Sequence, residues 1–430
     1  MWKWIGFAAV LAITLATRLY GAANESVWYD EAASVSILDE SSLSDFLAAG
    51  REIDKLKVPL YFVIEYTWWH TIGASVIGLR WLSISISLVT VAVLYWGSLR
   101  IWGAWTAIVA SLCFALSKQF IFYGQEIRMY ALMYLLALTS WFLLHAALKG
   151  KRWAWPLHTI MNLLLMQTHL LGVCNLAAQF LFMFAHEWRN WRRIAAWSIA
   201  HLAVVLSVLP WVLRYEKFER AIEWIPTPTV ATLANTFFLV YTGSTYVSDY
   251  PLPVVPTWIT ALIAVPAAAF GLRALLRSTD ERYTLSMLLF WMLTPALLMF
   301  IASYILMPSY VDRYALYAAF PAFILIGRGF AAMPRPARYT ICPILVALYA
   351  FGASQIQRPI RPDIATIADY TRFDREPTDH VIARGMGYEL CLDVYIPNIE
   401  KDGILQRIPT KRAVREVQRV GQRGEQVADF

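Results

Sequence analysis

The chain has 430 residues, of which 59% are hydrophobic, 15% aromatic and only 16% charged, with a mean hydropathy of +0.50; a soluble domain carries about a quarter charged residues. Many apolar runs are at or near the ~20 residues that cross a bilayer, so the composition excludes a soluble globular protein and predicts an all-α polytopic membrane protein. The net charge of +7 is no argument for a nucleic-acid partner, because basic residues collect in the cytoplasmic loops of membrane proteins.

The first apolar segment, Trp4 to Tyr20 after Lys3, reads as an uncleaved first span because many more spans follow it. Arg18 near its outer end is expected to snorkel to the headgroups. Next comes Val27-Trp28-Tyr29-Asp30-Glu31-Ala32-Ala33-Ser34, two adjacent carboxylates beside two aromatic residues at interfacial depth. Ala32 to Leu38 and Leu43 to Ala49 read as short interfacial helices with Val35, Leu38, Leu43, Phe46 and Leu47 turned to lipid. Ser42 and Asp45 have capping-box spacing. The stretch Val58 to Ala74 is short for a span and contains Glu65 and His70.

Basic clusters set the orientation. They are Arg100, Lys149 to Arg152, Arg189 to Arg193, Arg273 to Arg282, and Arg328 to Arg338. All five are cytoplasmic only if Val58 to Ala74 does not cross, so it reads as a juxtamembrane or re-entrant helix on the outer face. About eleven spans follow, near 4–21, 79–98, 103–122, 129–148, 153–168, 170–186, 194–212, 256–276, 283–306, 313–330 and 338–355, with the N-terminus inside and the C-terminus outside. A second large outer loop, 213–255, has mixed charge and Trp224-Ile225-Pro226, then an apolar, aromatic part from Ala231 to Tyr246 that reads as lying along the membrane. From residue 356 the composition turns polar, and Val381 to Arg384 and Leu390 to Ile396 read as strands. The expected organisation is a transmembrane domain, 1–355, with outer loops 22–78 and 213–255, and a small α/β extracytoplasmic region, 356–430. Of Cys113, Cys174, Cys342 and Cys391, three lie in apolar stretches; they make neither a disulfide framework nor a metal-type spacing.

This topology delivers Asp30, Glu31, Lys57, Gln125 to Tyr130, His169 and Asp312-Arg313-Tyr314 to one face. Ionisable groups at membrane depth are costly and mark functional sites by default. Carboxylates, a histidine and several cations suit a reaction in which a hydroxyl is deprotonated and an anionic leaving group is held. Each residue also has a structural reading. Asp30 is placed to be an N-cap and Glu31 a solvated first-turn acid. Glu126 with Arg128 suits an ion pair, Lys57 a snorkeling side chain, His169 a packing residue and Arg313 a headgroup anchor. On the residues alone, both sets of readings stand.

The ordered motifs carry a resemblance. Val27-Trp28-Tyr29-Asp30-Glu31-Ala32 is similar to the first-loop signature of the C-type (GT-C) membrane glycosyltransferases, in the bacterial branch related to protein O-mannosyltransferases and aminoarabinose transferases. Phe122 to Leu132 closely resembles that branch's Tyr-Ser-Gln-Glu-Ala-Arg-Met-Tyr-Ala-Leu stretch, and Thr168-His169-Leu170-Leu171-Gly172, Trp224-Ile225-Pro226, Arg313-Tyr314 and Phe320-Pro321 match in order. One departure is Lys57-Val58-Pro59-Leu60-Tyr61-Phe62, where many relatives have His-Pro-Pro-Leu-Tyr-Tyr; aminoarabinose-transferase-like relatives have a lysine nearby that contacts the lipid phosphate.

The resemblance implies an integral protein of the bacterial inner membrane. It implies transfer of a sugar from a polyprenyl-phosphate donor to a hydroxyl of a glycan, lipid or protein acceptor on the outer face. Asp30 is then the general base and Glu31 its partner, while Lys57, Arg128, Tyr130 and Arg313 hold the donor phosphate. Glu126 and His169 support the site, and a divalent ion on Glu31, Glu126 or His169 is left open because relatives differ in this. Two other readings stand beside it: a transporter or flippase for a lipid-linked sugar, which would show mid-membrane charges and internal repeats, and an inactive assembly partner with the same fold.

Overall fold

Backbone amides in an apolar medium must bond within their own segment, and every predicted span of this chain folds as α-helix. The computed structural model describes residues 2–23, 25–53, 58–213, 225–242, 254–278, 281–355, 363–373, 381–383, 388–396 and 405–407. Among these, eight helices are long and apolar enough to cross a membrane: Trp2–Leu19, Val76–Trp102, Tyr130–Leu148, Trp191–Val212, Pro256–Arg277, Arg282–Ile305, Asp312–Ala332 and Arg335–Ser354. A ninth is made if Ala104–Leu116 and Lys118–Gln125, bent by 62° at Ser117, count as one broken span. The two other expected spans are the shorter helices Ala154–Met166 and Gly172–Glu187, of 13 and 16 residues. At 1.5 Å per residue these fall short of the ~30 Å hydrocarbon core. Pro59–Thr71, inside the stretch read as non-crossing, also has 13 residues and is not among the candidate spans.

The chain divides into two compact units, Met1–Ala23 with Asp54–Arg358, and Asn24–Ile53 with Pro359–Phe430. The segment 22–78, expected at the outer face, is therefore divided between them, and its acidic pair belongs to the unit that contains residues 359–430.

In the larger unit the helix Phe320–Ala332 is almost wholly buried. Gly327 and Gly329 lie two positions apart, about 200° around a helix, and so face opposite neighbours. A Cβ on Gly329 would stand 1.8 Å from the Ala267 carbonyl oxygen, and one on Gly271 2.1 Å from that of Leu325. On the other side, a Cβ on Gly327 would stand 2.7 Å from the Thr106 oxygen. Backbone thus meets backbone on both faces. In a membrane, where no hydrophobic force separates protein from lipid, small residues provide that close packing. Gly103, with φ of +88°, makes the sharp turn between Val76–Trp102 and Ala104–Leu116.

The apolar helix Val230–Thr242 lies in the expected second outer loop. Leu233 and Phe237 pack against a core of Cys174, Ala296, Met299, Tyr310 and Ala315. Tyr310 donates to the Thr236 hydroxyl at 2.9 Å. Burial pushes this phenol up to about 12, so it stays a donor.

In the smaller unit the helices are Tyr29–Val35, Leu43–Ile53, Ile364–Phe373 and Tyr388–Tyr395. Val381–Ala383 pairs in parallel with Leu405–Arg407. Three expectations are corrected here. The first outer helix begins at Tyr29, before Ala32. Val35, Leu38 and Phe46 are buried within the protein and do not face lipid. Leu390 to Ile396, read as a strand, lies mostly in the helix Tyr388–Tyr395. Ser42 does cap the next helix, accepting the Asp45 N–H at 3.2 Å and donating to its carboxylate at 2.6 Å.

Gly329→Leu is expected to abolish recovery of monodisperse protein in detergent, because a backbone carbonyl occupies the place its Cβ needs. Gly352→Ala, in a helix with nothing within 4 Å of the added carbon, is expected to be neutral or to gain up to about 1 kcal/mol. Size-exclusion profiles and thermal melting of both variants check this.

Candidate active site

Breaking a helix inside a bilayer frees carbonyl oxygens that water cannot reach. At Ser117 the freed groups are met from another segment. The Arg18 guanidinium donates to the Ala115 oxygen and, at 3.1 Å, to that of Phe114, and lies 4.8 Å from the Phe114 ring centroid. The exchange is mutual. Gln125, which ends the second half of the broken span, donates from Nε2 to the Arg18 and Tyr20 oxygens, both at 2.8 Å. Each helix end is thereby capped by a side chain of the other. Arg18 is fully buried, which replaces the expected snorkeling with a capping role.

This exchange fixes the start of the motif Gln125 to Tyr130. Gly124 fits closely, since a Cβ there would stand 2.7 Å from the Ser87 hydroxyl. Ser83 donates to the Glu126 carbonyl at 2.6 Å, and Arg80 donates to that of Ala22. Glu126 is fully buried and Arg128 nearly so.

Beyond the motif, three predicted residues come together. The Arg313 guanidinium carbon lies 5.7 Å from the Tyr130 ring centroid and 5.3 Å from that of Tyr314. The His169 ring is 4.7 Å from Tyr314 and 6.5 Å from Tyr130. Tyr134 donates to the Arg313 carbonyl at 2.9 Å, and Asp312 accepts the Arg313 N–H at 2.8 Å. His169 Nδ1 accepts the Leu171 N–H at 3.2 Å. The Tyr123 ring lies 5.2 Å from that of Tyr130. The cluster offers a guanidinium against two tyrosine rings, which suits an oxyanion.

The smaller unit holds Asp30 and Glu31 in the first turn of Tyr29–Val35. The N-cap is Trp28, with no side-chain cap bond, so the N-cap reading of Asp30 is overturned. Glu31 is fully buried and is not the solvated acid of the structural reading; Asp30 is partly exposed. The segment before them is tied to the tail. Ser26 accepts the Ala365 N–H at 3.1 Å and donates to Asp363 at 3.3 Å. The Tyr395 hydroxyl accepts the Val27 N–H at 2.9 Å. Asp363 caps Ile364–Phe373, accepting from the Thr366 N–H at 3.1 Å and its hydroxyl at 2.8 Å.

Lys57 and Trp224 lie outside the described residues. No group of three His, Cys, Asp or Glu side chains among the described residues converges to hold a metal ion. Sequence reasoning also missed a polar network inside apolar helices. Asn162 Nδ2 lies 2.9 Å from Gln179 Oε1, 2.9 Å from His201 Nε2 and 3.2 Å from His158 Nε2. Trp197 donates to His158 Nε2 at 3.0 Å, Gln179 to the Ser140 hydroxyl at 2.8 Å, and Trp141 to Asn175 at 2.8 Å. The signal was present: His158 and Asn162, Asn175 and Gln179, and Trp197 and His201 are each four residues apart, on one face of their helices. These bonds join four helices and act as interhelical glue.

The fold is that of the C-type membrane glycosyltransferases. The chain superposes on ArnT from Cupriavidus metallidurans bound to undecaprenyl phosphate with a TM-score of 0.64, at 12% identity, over 95% of this chain and 86% of that one. It also superposes on the apo oligosaccharyltransferase of Archaeoglobus fulgidus with a TM-score of 0.58, at 11% identity, over 92% of this chain and 64% of that one. No family model and no curated protein sequence matches the chain.

Gln125→Leu is expected to cost about 1–3 kcal/mol, the usual penalty for buried carbonyls left without donors; thermal melting in detergent measures it. The Thr366 and Ser26 hydrogen bonds hold the Asp363 carboxyl below its ordinary value. A carboxylate depressed in the folded state contributes stability above its unfolded pKa of about 3.9 and loses it as pH falls through the folded value. The smaller unit is therefore expected to keep its protease resistance at pH 5 and to lose part of it below about pH 3.5. Asp363→Asn is expected to flatten that dependence.

Proposed function

We propose that this protein transfers a sugar from a polyprenyl-phosphate carrier to an acceptor hydroxyl at the outer face of the membrane. The observation that carries the reading is the Arg313, Tyr130, Tyr314 and His169 cluster, in a fold that another protein presents with undecaprenyl phosphate bound. A phosphate-linked sugar already has a good leaving group, so the chemistry asks for a base and for positive charge where the phosphate departs.

Asp30 takes the acceptor proton as the acceptor oxygen bonds to the anomeric carbon. The anomeric C–O bond to phosphate breaks, and the polyprenyl phosphate leaves with the electron pair. One carboxylate acting on the acceptor implies direct displacement with inversion, by analogy with glycosidases that activate their nucleophile with a single base. Glu31, buried beside Asp30 in sequence, orients the base. Arg128, Arg313 and Lys57 neutralise the phosphate, Tyr130 donates to it, and Glu126 and His169 support these groups.

Transfer from an undecaprenyl-phosphate-linked sugar by the purified, reconstituted protein tests the reading. Asp30→Asn is expected to lower kcat by ~100-fold or more while donor KM holds, and full activity would remove the base assignment. Arg313→Ala is expected to raise donor KM about tenfold, equivalent to about 1.4 kcal/mol, with Arg313→Lys between it and the native enzyme. A donor KM untouched by Arg313→Ala would remove the phosphate assignment.

A further inference from the structure

We propose that the C-terminal segment positions the acidic loop for catalysis: the hydrogen bonds of Tyr395 to Val27, and of Asp363 and Ala365 to Ser26, set the register of Asp30. The proposal rests on the reading of Asp30 as the base.

The helix that carries Asp30 has seven residues. Helices this short are not stable alone. Its N-cap residue, Trp28, has no side-chain oxygen to take a first-turn N–H, and no side-chain cap bond is made. Its placement therefore depends on its neighbours, and it packs on Tyr388–Tyr395. Ala32 and Ala33 on one helix, and Cys391 and Leu392 on the other, are buried.

The polar anchors lie directly ahead of it. Val27 is fully buried, so its N–H must find a protein partner, and that partner is the Tyr395 hydroxyl. The Tyr395 backbone is held in turn by Arg372, which donates to its carbonyl. Ser26 uses its hydroxyl in both directions, as acceptor from Ala365 and donor to Asp363. Val27 is three residues from Asp30, so a shift there moves the carboxylate. General-base catalysis is sensitive to such shifts, since a displacement of ~1 Å costs up to about 100-fold in rate.

The test uses the full-length protein in lipid nanodiscs, with hydrogen–deuterium exchange and transfer kinetics measured on the same samples. Tyr395→Phe keeps the ring and removes the acceptor oxygen. It is expected to speed exchange over residues 25–35, to leave Val76–Trp102 unchanged, and to lower kcat by ~10-fold or more with donor KM within about twofold. Ser26→Ala should act in the same direction, while Ser26→Thr, which retains a hydroxyl, should restore most of the rate. Unchanged exchange in Tyr395→Phe would overturn the clasp itself. Faster exchange with a native kcat would overturn its positioning role. An Asp30→Asn enzyme at full rate would sink the base reading, and the positioning role with it, whatever the exchange shows.

Discussion

A carbonyl oxygen freed inside a bilayer has to be given a donor by the protein, and at Ser117 this requirement organises the larger unit. The break there turns the chain by 62°, and the turn brings Gln125 to Tyr130 out of the line of its helix. Arg18 supplies the missing donors, and Gln125 answers by capping the helix that carries Arg18. Two helix ends are settled by one exchange of side chains. The motif that follows inherits a fixed origin, from which Tyr130 reaches Arg313 and His169.

The helices were legible because lipid permits little else: a long apolar run must be helical, and its approximate length follows from bilayer thickness. The grouping of Tyr130, His169 and Arg313 was also legible, since costly polar residues at the ends of apolar runs were expected on one face. What escaped was the partnering of polar groups across helices. Arg18 looked like a headgroup anchor because its position in one helix does not reveal that a second helix breaks beside it. The His158, Asn162 and His201 network escaped for the same reason, as hydrophobic averages hide polar pairs spaced by four. Strand and helix were confused at Leu390 to Ile396 because a short apolar run fits both periods.

The two compact units are held together internally by different kinds of contact. Arg313 and its tyrosines belong to the larger one. The proposed base belongs to a smaller unit built from a first-loop segment and the tail. The apolar unit holds its parts by glycine contacts and internal caps, as at Gly329 and Arg18, whereas the smaller one relies on hydroxyl and carboxylate bonds such as those of Ser26 and Asp363.

Ser26 and Asp363 are 337 residues apart, and every membrane helix after the first is synthesised between them. Chains emerge from the ribosome N-terminus first, so the loop carrying Asp30 has to wait until the membrane helices between them are made before its partners exist. A chain stalled or truncated within its membrane helices would carry the carboxylates without the tail that ties their loop. Synthesis of residues 363–395 is thus coupled to assembly of the acidic loop, and products that stop short of them are left without that support.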